Sequence, residues 1–323
     1  MVNVEIDATF NPIEVKEEVE NKYDGKWVKN PMKFIVEQVP LHLDLELNNT
    51  CNLKCVMCFQ SFDPPFPQEL GLARVIQMID EFAQKGGYSI KFNYRGEPLL
   101  YKYIADVVKY ANGKGLETMI NTNGTRLKDQ IKPLLNAGLD KIIFSIDSVI
   151  KEKYEAIRVG GKFEMVLANL LKLEALKQLH GYTKPLIRIQ GVIVNQSEKD
   201  IEIWKEFWSF LGKNWELSMV DCKDYRTTTE NWMESDFCCA QLWQRLIVRA
   251  DGKVQMCCGA PNDDKIIGDI HETNLAEIWH CKALNDVREK HKKGLSHEIK
   301  ACRVCDMRNY SLRENTKKKE FKY

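Results

Sequence analysis

Three cysteines in one short segment constrain this chain more than any other feature. Cys51, Cys55 and Cys58 form a C-x3-C-x2-C array directly after residues 41–47, whose alternating apolar and polar side chains predict a β-strand. Three soft thiolates on one loop suit an iron–sulfur cluster, and they are one short of the four that close a cubane-type cluster. An iron without a protein ligand can bind a substrate or cofactor, as a catalytic zinc does at its open position. A structural zinc site is the alternative, although no second C-x2-C pair follows nearby.

The composition is that of an ordinary globular protein. The 323 residues suffice for one large domain and a small one, and 44% of them are hydrophobic and 29% charged. A net charge of +1 gives no electrostatic reason to expect nucleic acid or a membrane as the partner. The first residues are acidic and lack an apolar core, and no run approaches the roughly 18 apolar residues that span a bilayer. We therefore expect a cytoplasmic protein whose eleven cysteines bind metal before they form disulfides.

From residue 41 onwards, strand-like runs alternate with amphipathic, helix-like segments. The strand-like runs are residues 41–47, 89–94, 117–122, 141–146, 186–194 and 216–220. Six units of this kind predict an α/β fold with a parallel sheet, a TIM-like partial (β/α)6 barrel with its chemistry on the loops after the strands. We expect the barrel over residues 41–222, a lead-in segment over 1–40 and a small domain over 223–323.

Polar residues follow several of the predicted strands. The turn Gly96-Glu97-Pro98 comes after the second strand, and its carboxylate can pair with an ammonium group. Asn123 lies in a polar turn after the third strand, and Ser145 lies near the end of the fourth. Arg158 follows, with a planar fork that suits a carboxylate. The alternatives are ordinary turns for the Gly96-Glu97-Pro98 and Asn123 segments, the first of which would be favoured if it stood alone, and a surface salt bridge for Arg158.

Beside the cysteine array, these residues resemble the radical S-adenosylmethionine (radical SAM) enzymes. The family motif C-x3-C-x-aromatic-C is matched at the three cysteines, with Met57 at the aromatic position. The family's GGEP element is matched at Gly96, Glu97 and Pro98, with Arg95 in place of the first glycine. The resemblance implies a [4Fe–4S] cluster with an open iron, held by Cys51, Cys55 and Cys58, and S-adenosylmethionine as the cofactor.

The resemblance also implies roles for single residues. The Gly96-Glu97-Pro98 element would hold the amino group of the cofactor, Asn123 would belong to a T-N-G loop near it, and Ser145 with Arg158 would bind its carboxylate. Arg188 and Gln190 alternate with apolar neighbours on the fifth predicted strand, so they share one face, where the ribose or the substrate would lie. Arg188 is thus one catalytic candidate. Cys222, after the sixth strand, is the other, as a hydrogen-atom donor or merely a packed thiol.

A second group of cysteines lies beyond residue 222. Cys238-Cys239 precede and Cys257-Cys258 follow a predicted hairpin with an Asp-Gly turn, and a C-x2-C pair comes last. Four thiols from these groups close a cluster with no open iron, while zinc is the alternative. The group resembles the SPASM and twitch domains of radical SAM enzymes, and it implies one auxiliary [4Fe–4S] cluster because no cysteine follows Cys305. The expected ligands are Cys239, Cys257, Cys302 and Cys305, with Cys238 and Cys258 competing for the first two places.

The resemblance implies that the bound cofactor is cleaved reductively to a 5′-deoxyadenosyl radical, which abstracts a hydrogen atom from the substrate. An auxiliary cluster that accepts the next electron makes the net reaction a two-electron oxidation. We therefore expect a dehydrogenase-like oxidoreductase that acts on a sugar, amino-sugar or polyol, with a reductase, flavodoxin or ferredoxin as electron donor. The alternatives are a maturase that crosslinks or oxidises a peptide, an epimerase that uses Cys222, and a non-catalytic scaffold.

Overall fold

The computed structural model describes residues 4–6, 23, 25–209, 215–221, 238–258, 265–303 and 305. The chain divides into two compact units. The first unit comprises Met1–Ala8, Leu45–Asp80 and Ser89–Cys222, and the second comprises Thr9–Asp44, Glu81–Tyr88 and Lys223–Tyr323. The domain boundary that the sequence suggests near residues 222–236 falls outside the described residues.

The described residues form ten strands. They are β1 (Val4–Ile6), β2 (His42–Leu45), β3 (Ser89–Lys91), β4 (Glu117–Thr122), β5 (Lys141–Ser145), β6 (Leu186–Ile193), β7 (Trp215–Asp221), β8 (Arg245–Val248), β9 (Lys253–Gln255) and β10 (Ile266–Asp269). In the first unit the strands lie in the order β1-β7-β6-β5-β4-β3, and neighbours pair in parallel. This open parallel sheet confirms the expected partial barrel. β1 lies in the lead-in segment, and its three residues are too few to show a pattern in the sequence.

Helices connect the parallel strands, as the amphipathic segments predict. They are Leu72–Gln84, Ile104–Gly113, Ile131–Ala137, Lys151–Ile157, Phe163–His180 and Glu198–Trp208. The last begins at a capping box, in which Ser197 Oγ accepts from Asp200 N at 3.3 Å and the Asp200 carboxylate accepts from Ser197 N at 3.0 Å. The helix Phe163–His180 ends at Gly181, whose φ of 68° is the left-handed conformation that glycine adopts without strain.

Alternation along the strands gives the parallel sheet two different faces. One face carries fully buried apolar residues such as Ile120, Phe144 and Ile189. Helices pack on this face: Trp204, from the helix Glu198–Trp208, donates its Nε1 proton to Ile146 O at 2.9 Å. The burial of these large side chains stabilises the unit.

The opposite face of the sheet carries several polar side chains, and we call it the polar face. The pairing register aligns Asn121 of β4, the apolar Ile143 of β5, Arg188 of β6 and Glu216 of β7 in one row, and Ser145, Gln190 and Ser218 in the next. Arg188 and Gln190 therefore share a face, as their spacing predicts. Several of these side chains are half-buried rather than buried, so the polar face is in part accessible.

The second unit contains the strands β2-β8-β9-β10 in that order, with β9 antiparallel to both of its neighbours. The predicted hairpin is confirmed: β8 and β9 turn at Asp251-Gly252, where Gly252 has a φ of 83°. The helices are Lys26–Lys33, Leu275–Trp279, Lys282–Lys292 and Lys300–Arg303. No helix among the described residues is long and apolar enough to cross a membrane.

Candidate active site

Residues 51–58, which we call the cluster loop, lie after β2 and are held by backbone hydrogen bonds to a distant segment. Lys54 N donates to Val159 O at 2.9 Å, and Val56 N donates to Ile157 O at 3.0 Å. Cys55 is buried, Cys58 is half-buried and Cys51 is exposed. The backbone contacts therefore fix the three thiols in one place.

The three thiols of the cluster loop influence one another electrostatically. Burial raises the pKa of Cys55 to about 11; the Arg158 guanidinium works against this, and negative charge on Cys58 or Cys51 adds to it. Burial also raises the pKa of Cys51, with charge on Glu97 and Cys58 as smaller causes. Burial thus opposes ionisation of the Cys55 and Cys51 thiols, and a bound cationic group such as an iron–sulfur cluster would favour their thiolates.

The spacing of the thiols also bears on the zinc alternative. Among the described residues, no three His, Cys, Asp or Glu side chains converge as they would on a single metal ion. A zinc ion needs its ligands around one centre at about 2.0–2.3 Å. A [4Fe–4S] cluster binds its cysteines on different irons and therefore takes thiols that are further apart. Three soft thiolates on one loop suit a cluster, and which metal group they bind stays a prediction.

Glu97 lies in a cage of three protein donors. Its Oε1 accepts from Thr122 Oγ1 at 2.7 Å and from Leu99 N at 3.1 Å, and its Oε2 accepts from Asn123 N at 2.8 Å. Burial raises the pKa of Glu97, while the donors favour the ionised form. The carboxylate therefore joins the loop after β3 to the loop after β4, and a role in holding an ammonium group stays a prediction.

Gly96 lies very close to the backbone of the segment that leads into the cluster loop. A Cβ at Gly96 would lie 2.3 Å from Asn48 O and 2.8 Å from Thr50 O, so only glycine fits there. Glu97 N donates to Thr50 O at 2.8 Å, and Asn48 Nδ2 donates to Glu97 O at 3.1 Å. Pro98 then begins a short 3-10 helix, Pro98–Leu100.

Arg95, which replaces the first glycine of the GGEP element, forms a buried ion pair with Glu46. Its Nε and Nη2 lie 2.8 and 2.7 Å from the two carboxylate oxygens, and its backbone N donates to Oε1 at 3.0 Å. Sequence reasoning missed Glu46. The only sequence signal for Glu46 was that it occupies a polar position in the alternation of residues 41–47. That signal does not identify a partner 49 positions away.

Arg158 is not in a surface salt bridge, so that alternative is wrong. Its guanidinium binds the buried Asp147 through Nε and Nη2, and its Nη1 lies 3.8 Å from Cys55 Sγ. The planar fork that would suit the cofactor's carboxylate is thus engaged with Asp147. Ser145 lies on the polar face, half-buried, where β5 ends. Binding of a carboxylate by Ser145 and Arg158 stays a prediction.

Asn123 lies beside the cluster loop. Its Nδ2 donates to Asn52 Oδ1 at 3.1 Å and lies 3.9 Å from Cys51 Sγ, and its Oδ1 accepts from Thr125 N at 2.9 Å. The loop after β4 therefore meets the cluster loop, and a role of Asn123 beside a cofactor stays a prediction. Cys222, a candidate hydrogen-atom donor, lies outside the described residues.

The polar face carries buried polar atoms that have no hydrogen-bond partner within the described part of the chain. They are Arg188 Nε, Asn121 Oδ1 and Ser218 Oγ. Arg188 Nη1 lies 3.8 Å from the carboxylate of Glu216, which also binds Lys141 Nζ at 2.5 Å. Unpaired buried polar atoms are costly unless a ligand or water binds them. This part of the polar face can therefore receive a hydrophilic ligand.

In the second unit, the competing cysteines have different surroundings. Burial raises the pKa of Cys239 well above its usual value, and the next causes are the charges of Cys305, Cys257 and Cys302. Those are the three other thiols of the expected ligand set. Cys238 is influenced instead by burial and by Lys292, and Cys258 Sγ donates to Gln241 Oε1 at 3.2 Å. The environment favours Cys239 and Cys257 over their neighbours, and ligation itself stays a prediction.

Comparison with known proteins identifies two domains in the chain. Residues 45–183 match the model of the radical SAM superfamily, and residues 238–306 match that of SPASM, an iron-sulfur cluster-binding domain. The GTP 3′,8-cyclase of Chlorobaculum tepidum is 30% identical over 167 residues, which are 51% of this chain and 50% of that protein. The chain thus spans about half the length of this curated relative.

Solved structures of low sequence identity share the fold. BtrN in complex with AdoMet and 2-DOIA is 18% identical with a TM-score of 0.54, covering 84% of this chain and 94% of BtrN. SuiB of Streptococcus suis bound to its precursor peptide SuiA is 14% identical with a TM-score of 0.63, covering 87% of this chain and 79% of SuiB. At these identities the likeness concerns the fold alone.

Proposed function

From the premise that this chain belongs to the radical SAM superfamily and carries a C-terminal SPASM domain, we propose that it catalyses a two-electron oxidation of a small hydrophilic substrate. A sugar, an amino-sugar or a polyol is the substrate class that suits the site. The observation that carries the oxidation is the grouping of the second set of cysteines: Cys239 N and Cys302 Sγ lie 3.2 and 3.5 Å from the two ring nitrogens of His291. Charge on Cys305, Cys257 and Cys302 is in turn a cause of the raised pKa of Cys239.

Four thiolates leave no iron of a [4Fe–4S] cluster open, so such a cluster transfers electrons and does not bind a substrate. The proposed oxidation balances if the substrate gives up a hydrogen atom from carbon, a proton from its hydroxyl group and one electron. The hydrogen atom would go to the cofactor fragment, the proton to a base or water, and the electron to the auxiliary cluster. Cys239, Cys257, Cys302 and Cys305 would hold that cluster, which would supply the electron acceptor.

When bound, S-adenosylmethionine and the first cluster together supply a radical able to abstract hydrogen from an unactivated carbon. The chain's own residues position these groups. Cys51, Cys55 and Cys58 would hold the first cluster, and Arg158 places a positive charge 3.8 Å from the sulfur of Cys55. Glu97 fixes the loops after β3 and β4 against each other through its three hydrogen bonds.

The polar face supports a hydrophilic substrate. Arg188 Nε and Asn121 Oδ1 are a buried donor and a buried acceptor without partners among the described residues. Ser145 and Gln190 lie half-buried in the neighbouring row, paired in register across β5 and β6. A molecule with several hydroxyl or amino groups can satisfy such donors and acceptors together, whereas an apolar ligand leaves them unpaired.

A second candidate is the modification of a peptide. The segment after the cluster loop exposes Phe62 and Phe66, which are 49% and 83% exposed. Exposed aromatic side chains next to a site can bind a polypeptide. SuiB, whose fold is similar, has been solved with its precursor peptide.

The test is deuterium transfer into 5′-deoxyadenosine. The protein, reconstituted without oxygen and supplied with a strong reductant, is incubated with S-adenosylmethionine and either fully deuterated sugars, amino-sugars and polyols or a set of peptides deuterated at carbon. Deuterated 5′-deoxyadenosine together with a sugar or polyol product two hydrogens lighter supports the proposal. Transfer from peptides alone favours the second candidate. Transfer with a product of the same atomic composition, in which one deuterium has been replaced by one protium, points to epimerisation and overturns the oxidation.

A further inference from the structure

His291 is a buried histidine that no part of the proposed reaction uses. It lies near the end of the helix Lys282–Lys292, whose buried face is formed by Leu284, Arg288 and His291, spaced four and three residues apart. Its side chain is 2% exposed. The helix therefore directs the imidazole into the second unit rather than into solvent.

The two ring nitrogens of His291 meet two different segments. Nδ1 accepts a hydrogen bond from the backbone N of Cys239 at 3.2 Å. Nε2 lies 3.5 Å from the Sγ of Cys302. One imidazole thus bridges two of the cysteines expected to hold the auxiliary cluster.

The backbone contact determines where the imidazole carries its proton. A backbone N–H can only donate, so Nδ1 must present its lone pair to Cys239 N. A neutral imidazole then carries its proton on Nε2, which faces Cys302. The hydrogen bond at that end therefore runs from His291 Nε2–H to the sulfur of Cys302.

We propose that His291 is a positioning residue of the auxiliary cluster, which donates a hydrogen bond to the Cys302 thiolate and thereby raises the reduction potential of the cluster. A donor directed at a ligand sulfur stabilises the more negatively charged, reduced state. Residues that orient metal ligands in this way commonly tune the metal. The proposal rests on the proposed electron-accepting role of that cluster, which a less negative potential favours.

Two amide substitutions test the contacts of the two ring nitrogens one at a time. In His291→Asn, the side-chain oxygen can still accept from Cys239 N, but the side chain is too short to reach Cys302. In His291→Gln, the longer amide can place an N–H near the position of Nε2. His291→Phe keeps the volume of the ring and removes both hydrogen bonds.

The experiment is a redox titration, followed by electron paramagnetic resonance, of the full-length chain carrying Cys51→Ala, Cys55→Ala and Cys58→Ala, so that only the auxiliary cluster contributes. We expect His291→Asn and His291→Phe to lower the reduced-to-oxidised ratio at a fixed potential about tenfold, a shift of about 59 mV for one electron. His291→Gln should restore part of the ratio. If the cluster assembles in His291→Gln but not in His291→Asn, the result also supports the proposal, because only the glutamine side chain can reach Cys302. Unchanged potentials in all three variants overturn it.

A second measurement does not depend on the cluster. In the cluster-free protein, the ¹⁵N chemical shifts of the His291 ring report which nitrogen is protonated. A protonated Nε2 and an unprotonated Nδ1 agree with the proposal, and the reverse tautomer overturns it. Neither measurement involves turnover of a substrate, so failure of the proposed oxidation would leave both results interpretable.

Discussion

Arg158 binds Asp147 through two nitrogens and presents the third to Cys55. Its Nε lies 2.5 Å from Oδ2, its Nη2 lies 2.9 Å from Oδ1, and its Nη1 lies 3.8 Å from Cys55 Sγ. The side chains of Arg158 and Asp147 are 12% and 0% exposed. Asp147 Oδ1 also accepts from Val192 N at 2.9 Å. The pair therefore joins the strands of the first unit to the cluster loop.

Asp147→Ala should destabilise the protein strongly. It leaves the Arg158 guanidinium buried without its counter-charge, which costs about 3–5 kcal/mol in the free energy of unfolding. Urea unfolding of the cluster-free protein measures the effect. Glu164→Gln removes a partner of Lys151 in an exposed ion pair and is the matched control, for which we expect little change. Equal losses in the two variants would contradict the importance of the Arg158–Asp147 pair.

Gly96→Ala should disturb the cluster loop. Its new Cβ would meet two backbone oxygens, Asn48 O at 2.3 Å and Thr50 O at 2.8 Å, which cannot move without shifting the segment that leads into that loop. We expect the variant to bind about four irons fewer per chain after reconstitution, the content of one [4Fe–4S] cluster. Gly71→Ala is the control, because nothing lies within 4 Å of its added Cβ. Full iron content in Gly96→Ala would show that the close approach is not needed.

Glu97 gives a prediction for pH dependence. Burial raises its pKa in the folded state above the unfolded value of about 4.3. Its contribution to the free energy of unfolding is therefore fully present below the pKa of the unfolded state. It is lost as the pH rises through the pKa of the folded state. Glu97→Gln does not titrate, so the unfolding free energy of the wild type minus that of the variant should fall as the pH rises from about 4.

The matched control is Glu277, whose contribution to stability should change with pH in the opposite direction. The hydrogen bond from Thr273 lowers the pKa of the exposed Glu277 in the folded protein. Its contribution to stability is therefore present above the pKa of the unfolded state and is lost as the pH falls through the pKa of the folded state. The difference between wild type and Glu277→Gln should therefore rise with pH. Urea unfolding of the cluster-free protein at several pH values measures both. If the unfolding free energy of the wild type minus that of Glu97→Gln rises with pH, the direction of the pKa shift assigned to Glu97 is contradicted.

Adjacent cysteines in the second unit should behave differently. Cys239→Ser and Cys257→Ser should each remove the auxiliary cluster, about four irons per chain. Cys238→Ser and Cys258→Ser should retain it, because Cys238 is influenced by Lys292 and Cys258 binds Gln241. Iron and acid-labile sulfide analysis distinguishes the four variants. Retention of the cluster in Cys239→Ser with loss in Cys238→Ser would reverse the assignment.

Local patterns predicted much of the fold and part of the site. The cysteine spacings identified both thiol groups, and the alternation in β6 predicted that Arg188 and Gln190 share a face. Such features depend on neighbours a few positions apart, and the period of a strand or helix reveals them.

Pairings between distant segments could not be predicted in this way. Arg95 meets Glu46 over 49 positions and His291 meets Cys239 over 52 positions, so their partners depend on how the strands and helices pack. The fork of Arg158 is predicted to bind the carboxylate of the cofactor. In the structure it binds the carboxylate of Asp147, eleven positions away in the sequence, a partner that the motif does not identify.

The most direct test of the account is to measure iron, sulfide and 5′-deoxyadenosine formation in one anaerobically reconstituted preparation, with and without Cys51→Ala, Cys55→Ala and Cys58→Ala together. Two [4Fe–4S] clusters predict about eight irons per chain in the wild type and about four in the triple variant. Cleavage of S-adenosylmethionine should occur in the wild type alone. About four irons in the wild type, all lost in the triple variant, would contradict the auxiliary cluster and with it the proposed oxidation.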